Sequence, residues 1–362
     1  MAFKPISFKP NHNVEFYSIL KERVNGYFKS KSISKKANFA MVFKSMCMLL
    51  MYFGPLVVLF FDLGHWWIYL LLWIVMGFGM AGVGLSIMHD ANHGTYSKNQ
   101  YINSALGVIL NFLGGNDTNW RIQHNLLHHT YTNIPDVDED IEVPGLLMRF
   151  TSQKKLYKIH RFQHIYAWFL YGLMTILWFL TKDYNQALRY GKKDLLKTQN
   201  TSVKRHLVRI IFYKIIYGFI FIVAPLLWSP ASWYITLIGF LVMQFICGFV
   251  LAVIFQPAHV IPTSDFPIPN ESGNIEADWA VSQLANTANF APNSRLLSWY
   301  VGGLNYQIEH HLFPNICHIH YRKISEIVQQ TAKEFNLPYH SYKTFSAALL
   351  DHGRFLYRMG QG

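Results

Sequence analysis

Residues 38–61, 66–88, 207–228 and 232–255 form four continuous apolar runs, and no other feature of the chain restricts its fold as tightly. Each is long enough to cross the roughly 30 Å hydrocarbon core of a bilayer as a helix, at about 1.5 Å per residue. Backbone in lipid must satisfy its own N–H and C=O groups, which a helix does within one segment. Composition agrees: of 362 residues, 51% are hydrophobic and 14% charged, the balance of a multi-pass membrane protein. The turns inside the two pairs of runs, FDLGH and SPAS, are short and carry no lysine or arginine. Basic residues lie instead in the N-terminal segment, the long middle stretch and the C-terminal tail. By the positive-inside rule those parts face the cytoplasm. The expected fold is an all-α membrane protein, with four transmembrane helices in two hairpins and a helical cytoplasmic cap formed by residues 89–206 and 256–362. A cytoplasmic N-terminal arm covers 1–37, and the whole of 1–362 is expected to be one domain.

Two shorter apolar runs need a separate reading. Residues 165–180 (IYAWFLYGLMTILWFL) are nearly long enough to span, but a crossing there would place the following KKDLLK region outside, against the charge rule. They are expected to lie in the interface or to re-enter, and residues 102–113 are read the same way. The formal charge of +12 does not imply nucleic acid, because the basic residues surround membrane runs without an aromatic platform. Anionic lipid headgroups are the expected partner. Cys47 and Cys247 fall inside apolar runs and Cys317 near the tail, with no CxxC spacing, so neither a disulfide framework nor a thiolate metal site is expected. The first 37 residues lack the apolar core and small-residue cleavage site of a signal peptide.

Seventeen histidines remain to be placed. HDANH sets His89 and His93 four apart at the end of the second run, so on a helix both rings point to one side. HNLLHH contributes His124, His128 and His129. QIEHH sets Gln307, His310 and His311 at offsets zero, three and four, and FQPAHV places His259 just after the fourth run. An isolated H-x3-H is weak, since a chain this rich in histidine contains about one by chance. HRFQH, with His160 and His164, is the expected chance example. His12, His65, His206, His318, His320, His340 and His352 lie outside every cluster and are read as structural or solvated.

Eight clustered imidazoles and a glutamine exceed what one ion accepts, because a tetrahedral zinc site takes four ligands at most. Two metal ions are therefore expected. Imidazole suits iron, copper, zinc or nickel. No HExxH occurs to supply a hydrolytic base. An apolar substrate arriving from the bilayer offers unactivated C–H bonds, which favours oxygen chemistry. The acidic run PDVDEDIE, residues 135–142, begins like a calcium loop but has Ile141 where glycine is needed and Leu147 where the bidentate glutamate belongs. Asp136 and Asp138 are expected instead to hold histidine N–H groups, as are Asp90 and Glu309 within their own clusters.

HDANH, WRIQHNLLHHTYTNI and GGLNYQIEHHLFP, in that order, resemble the three boxes of the integral-membrane fatty acid desaturases. Similarity is greatest to the acyl-CoA or front-end branch, of the linoleoyl-CoA desaturase type, over roughly residues 40–330. The resemblance implies two iron ions, O2 as co-substrate and a cis double bond made in a fatty acyl chain, on CoA or on a lipid. It implies metal ligation by His89, His93, His124, His128, His129, His310 and His311, with His259 as the isolated ligand after the last span. Gln307 stands where many relatives have histidine, as in front-end members, and ligates directly or through water. The HPGG motif of a fused haem domain is absent and the arm is short, so a separate carrier, cytochrome b5 or a ferredoxin, is expected to deliver electrons. Arg121 and the basic loops are expected to hold CoA phosphates or the carrier's acidic face. The expected location is the bacterial inner membrane or the endoplasmic reticulum, with the site on the cytoplasmic side. The rivals are a sister membrane hydroxylase or ketolase acting on lipids and a histidine-lined metal transporter.

Overall fold

The computed structural model describes residues 3–9 and 15–362, and His12 lies outside the described residues. It is helical, with two small parallel strand pairs, Ser7–Phe8 with Asn274–Ile275 and Ala288–Phe290 with His340–Tyr342. Four helices are long and apolar enough to cross a membrane: Phe39–Val58, Trp66–Asn92, Val203–Trp228 and Trp233–His259. The last three run 26 or 27 residues, or about 40 Å, which exceeds the hydrocarbon thickness. Each of the three is therefore longer than a crossing requires, and His89 and His259 lie in the last turns of the second and fourth apolar helices.

The chain divides into two compact units, one made mainly of residues 38–122 and 168–252, the other of 4–37, 123–167 and 253–362. In the first, the Asn38 side chain caps the first apolar helix by accepting from the Met41 N–H at 3.1 Å. Small residues let the helices approach, since lipid gives no hydrophobic drive between them and packing must do the work. A Cβ on Gly79 would lie 2.6 Å from the Met51 backbone, and one on Gly239 would lie 2.0 Å from the Trp73 ring. The run at 102–113 is the helix Gln100–Val108 tightening into Ile109–Leu113, and it stops at Gly114, whose φ of 79° suits glycine. The run at 165–180 is broken: the helix pair Lys158–Gly172 and Met174–Lys192 bends by 59°. Lys214 secures this broken helix to the third apolar helix by pairing with Asp183 and donating to the Trp178 carbonyl at 2.7 Å.

In the second unit, the N-terminal segment is more ordered than an arm. Phe16–Ser30 is a helix burying Phe16, Leu20, Val24 and Phe28, a four-residue repeat that makes one apolar stripe. It packs against Tyr321–Glu334 through Ile324, Val328 and Ala332, in the same core as Ile308 and Leu312. The Arg23–Glu334 pair, 2.7 Å apart, closes the far end. None of the three cysteines forms a disulfide among the described residues.

Candidate metal centre

Of the clustered histidines, His89 and His93 belong to the first unit and stand at the end of the second apolar helix. Just before them, Val83–Met88 is wound as a π-helix, a local widening frequent at functional sites. The rings of His89 and His93 lie 4.7 Å apart, and both meet Trp120 edge-on at 5.7 and 5.6 Å. Thr95 closes the turn by donating its N–H to the Asp90 carbonyl at 2.8 Å.

The second unit gathers six imidazoles, and local winding explains part of how. Arg121–His128 is also π-helical, and the His129 N–H reaches the His124 carbonyl at 3.0 Å. An i to i+5 bond stacks residue 129 over residue 124, which a 3.6-residue turn would not do. Their Nε2 atoms are 3.2 Å apart, and His310 Nε2 lies 3.0 Å from that of His129. His128, His259 and His311 form a second trio, with each pair of ring centroids 4.8 Å apart and one nitrogen from each within 4.8 Å of the others. Nitrogens bound at about 2.1 Å to one ion sit about 3.0–3.4 Å apart for right-angle to tetrahedral arrangements. The closest spacings in the first trio fall in that range.

What lies behind the rings sets which nitrogen faces inward. His128 Nδ1 is 2.9 Å from Asp138 Oδ2, and His124 Nδ1 is 2.6 Å from Asp140 Oδ2. An ionised carboxylate only accepts, so both Nδ1 atoms carry the proton and both Nε2 atoms keep a lone pair for a metal. His311 Nδ1 donates to Gln283 Oε1 at 2.8 Å, and His310 Nδ1 lies 3.1 Å from the Tyr321 hydroxyl. Burial disfavours charge on His128, yet Asp138 and Asp140 outweigh it and its pKa is raised. The helix Gln307–Leu312 is held by Asn289, which accepts from the Ile308 N–H at 3.0 Å and donates to Glu309 at 2.8 Å. Burial pushes the Glu309 carboxyl up to about 7.

These residues fit metal ions. His128 Nε2 and Gln307 Oε1 are buried with no hydrogen-bond partner among the described residues. Such orphans are costly in a dry interior unless an ion or water meets them. Two trios of imidazole nitrogens exceed one coordination sphere.

The family profile described as "Fatty acid desaturase" matches residues 64–343. The acyl-lipid (8-3)-desaturase of Physcomitrium patens is 37% identical over 96% of this chain and 72% of its own length. The sn-1 linoleoyl-lipid 6-desaturases of Arthrospira platensis and Synechocystis sp. are 35% and 36% identical, each over 96% of this chain and over 93% and 96% of themselves. This chain belongs to the fatty acid desaturase family.

The desaturase keeps His89 with His93 in one unit, and His124, His128, His129, His259, His310 and His311 together in the other. His259 ends the fourth apolar helix instead of following it. Among the carboxylates, Asp138 meets a histidine ring and Asp136 does not: its side chain is 72% exposed and pairs with Lys154. Asp140, two residues past Asp138, takes the place expected of Asp136. Glu309 serves Asn289 and Tyr339, while Asp90 stands 3.6 Å from His89 Nδ1, within ion-pair range. Gln283 and Tyr321 carried no local signal, since each comes from a different helix.

Proposed function

We propose that this desaturase makes a cis double bond in a fatty acyl chain carried on a membrane lipid, with O2 as oxidant. The two imidazole trios carry this reading, with His124, His129 and His310 serving one ion and His128, His259 and His311 the other. His89 and His93 complete the ligand set, as the three-box pattern implies, and Gln307 acts directly or through water. Two iron ions, when bound, supply the oxygen chemistry that removes hydrogen from adjacent carbons. Two hydrogens leave the acyl chain, and two electrons and two protons from a separate carrier and solvent complete the reduction of O2 to two waters. The protein's own part is to fix the Nδ1 protons on Asp138, Asp140 and Gln283 and to hold the acyl chain in a dry site.

An acyl-lipid substrate is preferred to acyl-CoA because the relatives at 35–37% identity are named for acyl-lipid or linoleoyl-lipid substrates. We read the apolar helices as two hairpins below a cytoplasmic cap, from the distribution of basic residues. Expression in a desaturase-deficient host supplied with defined fatty acids, with lipid products located by mass spectrometry, tests the reaction. New double bonds and about two irons per purified chain are expected. Hydroxylated products would turn the reading to the sister hydroxylases, and a chain with no iron would end it.

A further inference from the structure

The first unit contains a polar cavity of about 450 Å³ that is separate from its histidine pair. It lies among the end of the second apolar helix, the segment 117–121, the loop at 199–201 and the start of the third apolar helix. That volume is in the range of small-molecule sites, but the lining is rich in amides, hydroxyls and guanidiniums where such sites are mostly apolar. Asp117 is the single carboxylate in its wall. Arg121 reaches that carboxylate at 3.0 Å and Arg209 at 2.9 Å, and both also bond the Thr118 hydroxyl. Burial pushes the Asp117 carboxyl up, but the two guanidiniums more than reverse this, so its pKa is lowered and it stays ionised. Two fixed positive charges thus share one negative charge.

An ionised carboxylate has about four lone-pair sites, so Asp117 accepts from both guanidiniums while cancelling only one of their two charges. Here the Asp117 side chain is 1% exposed while those of Arg121 and Arg209 are 28% and 32% exposed, so the carboxylate is sealed behind and the cations face the cavity. Arg121 is further held by Gln199 and Asn92, at 2.9 and 3.1 Å. With the bonds to Asp117 and Thr118, these take four of the five Arg121 N–H donors, so Arg121 offers its charge and one N–H, while Arg209 commits only two of its five, to Thr118 and Asp117. Arg209 sits in the second turn of a membrane-length helix, the depth at which arginines reach the headgroup layer.

We propose that this cavity binds the phosphate of the molecule that carries the acyl chain, with Arg121 and Arg209 as its two cationic arms. The inference rests on the reading of the chain as a lipid-acyl desaturase and names the headgroup class it takes. Asn92, which lines the cavity, lies on the same short helix as His89, so a bound phosphate would anchor the substrate beside the first histidine box.

The test is binding of short-chain ligands to the purified full chain in detergent, measured by equilibrium dialysis alongside the thermal midpoint. Dihexanoyl phosphatidylglycerol is expected to bind at least about tenfold less tightly to Arg209→Gln, with Arg209→Lys in between. Ser104→Glu, at an exposed position on the cavity wall, is expected to weaken it similarly without touching the arginine pairs. An uncharged galactolipid of equal chain length should bind more weakly and ignore all three changes. CoA binding more tightly than the phospholipid, with the same sensitivity to Arg209, would assign the phosphate to an acyl thioester. Equal binding of galactolipid and phospholipid, or indifference to both Arg209→Gln and Ser104→Glu, overturns the proposal. Desaturation of galactolipids by a protein indifferent to these changes would remove the phosphate site and leave the proposed reaction standing.

Discussion

HNLLH at 124–128 and HRFQH at 160–164 have the same histidine spacing and opposite surroundings. In the first, each ring has a carboxylate behind it, at 2.6 Å for His124 and 2.9 Å for His128. In the second, the buried His160 accepts at Nδ1 from the Tyr157 backbone N–H of its own turn, and His164 packs edge-on against Tyr357 at 5.0 Å. Neither of the latter belongs to a group of potential ligands among the described residues. Spacing brings two rings to one side of a helix. A ligand also needs an acceptor on the outer nitrogen and other donors facing the inner one.

The comparison breaks most visibly at the rings themselves. His128→Ala is expected to cut desaturation by more than about 100-fold and lower the bound metal, since a ligand should matter more than the group behind it. His164→Ala should stay within about twofold, as surface-side changes usually do. Iron analysis and product yield in the same host decide both, and a reversed order would dissolve the distinction.

A smaller effect is expected one layer out. Asp138→Asn and Asp140→Asn keep the shape but weaken the hold on the Nδ1 proton, and each should cost about 10–100-fold in activity or metal affinity. Asp136→Asn should change neither, because its carboxylate faces solvent and Lys154. Steady-state kinetics with metal titration of the three variants separates them. Equal losses in all three would mean that the acidic run acts only through its overall charge.

His352 is a buried histidine outside every box. His352 donates Nδ1–H to the Val260 carbonyl at 2.7 Å, and burial lowers its pKa to about 4. Its unfolded form takes up a proton near 6.5, so between these values the unfolded state binds more protons. Its contribution to stability is present above pH 6.5 and is lost as pH falls toward 4. The loss is on the order of 3 kcal/mol at its full extent. Thermal midpoints between pH 7 and 5 should fall in the parent protein and fall less in His352→Gln. Parallel curves would show that other groups control acid stability.

Much of this molecule was legible as text. The four apolar helices begin within about four residues of the expected runs, because the length of apolar chain needed to cross a bilayer is set by the membrane itself. The helix Phe16–Ser30 was equally readable from Phe16, Leu20, Val24 and Phe28, yet its polar composition led to an arm being expected. The choice of Asp140 over Asp136 was not readable, since both sit in one acidic run and only the turn after the π-helix decides which faces the rings. Glu309, adjacent to two histidines, turned out to brace the backbone through Asn289 and Tyr339.

The sequence alone determined the membrane class, the histidine boxes and the family, because hydropathy and the short-range spacing of ligands are properties of contiguous chain. Tertiary structure decided which nitrogens face one another, which carboxylates stand behind them and which pair of arginines shares a single buried aspartate. Those outcomes depend on groups as far apart in the chain as His129 and His310, or Asp117 and Arg209. Only packing, and in one place a turn wound by five residues instead of four, brings such groups within hydrogen-bond distance.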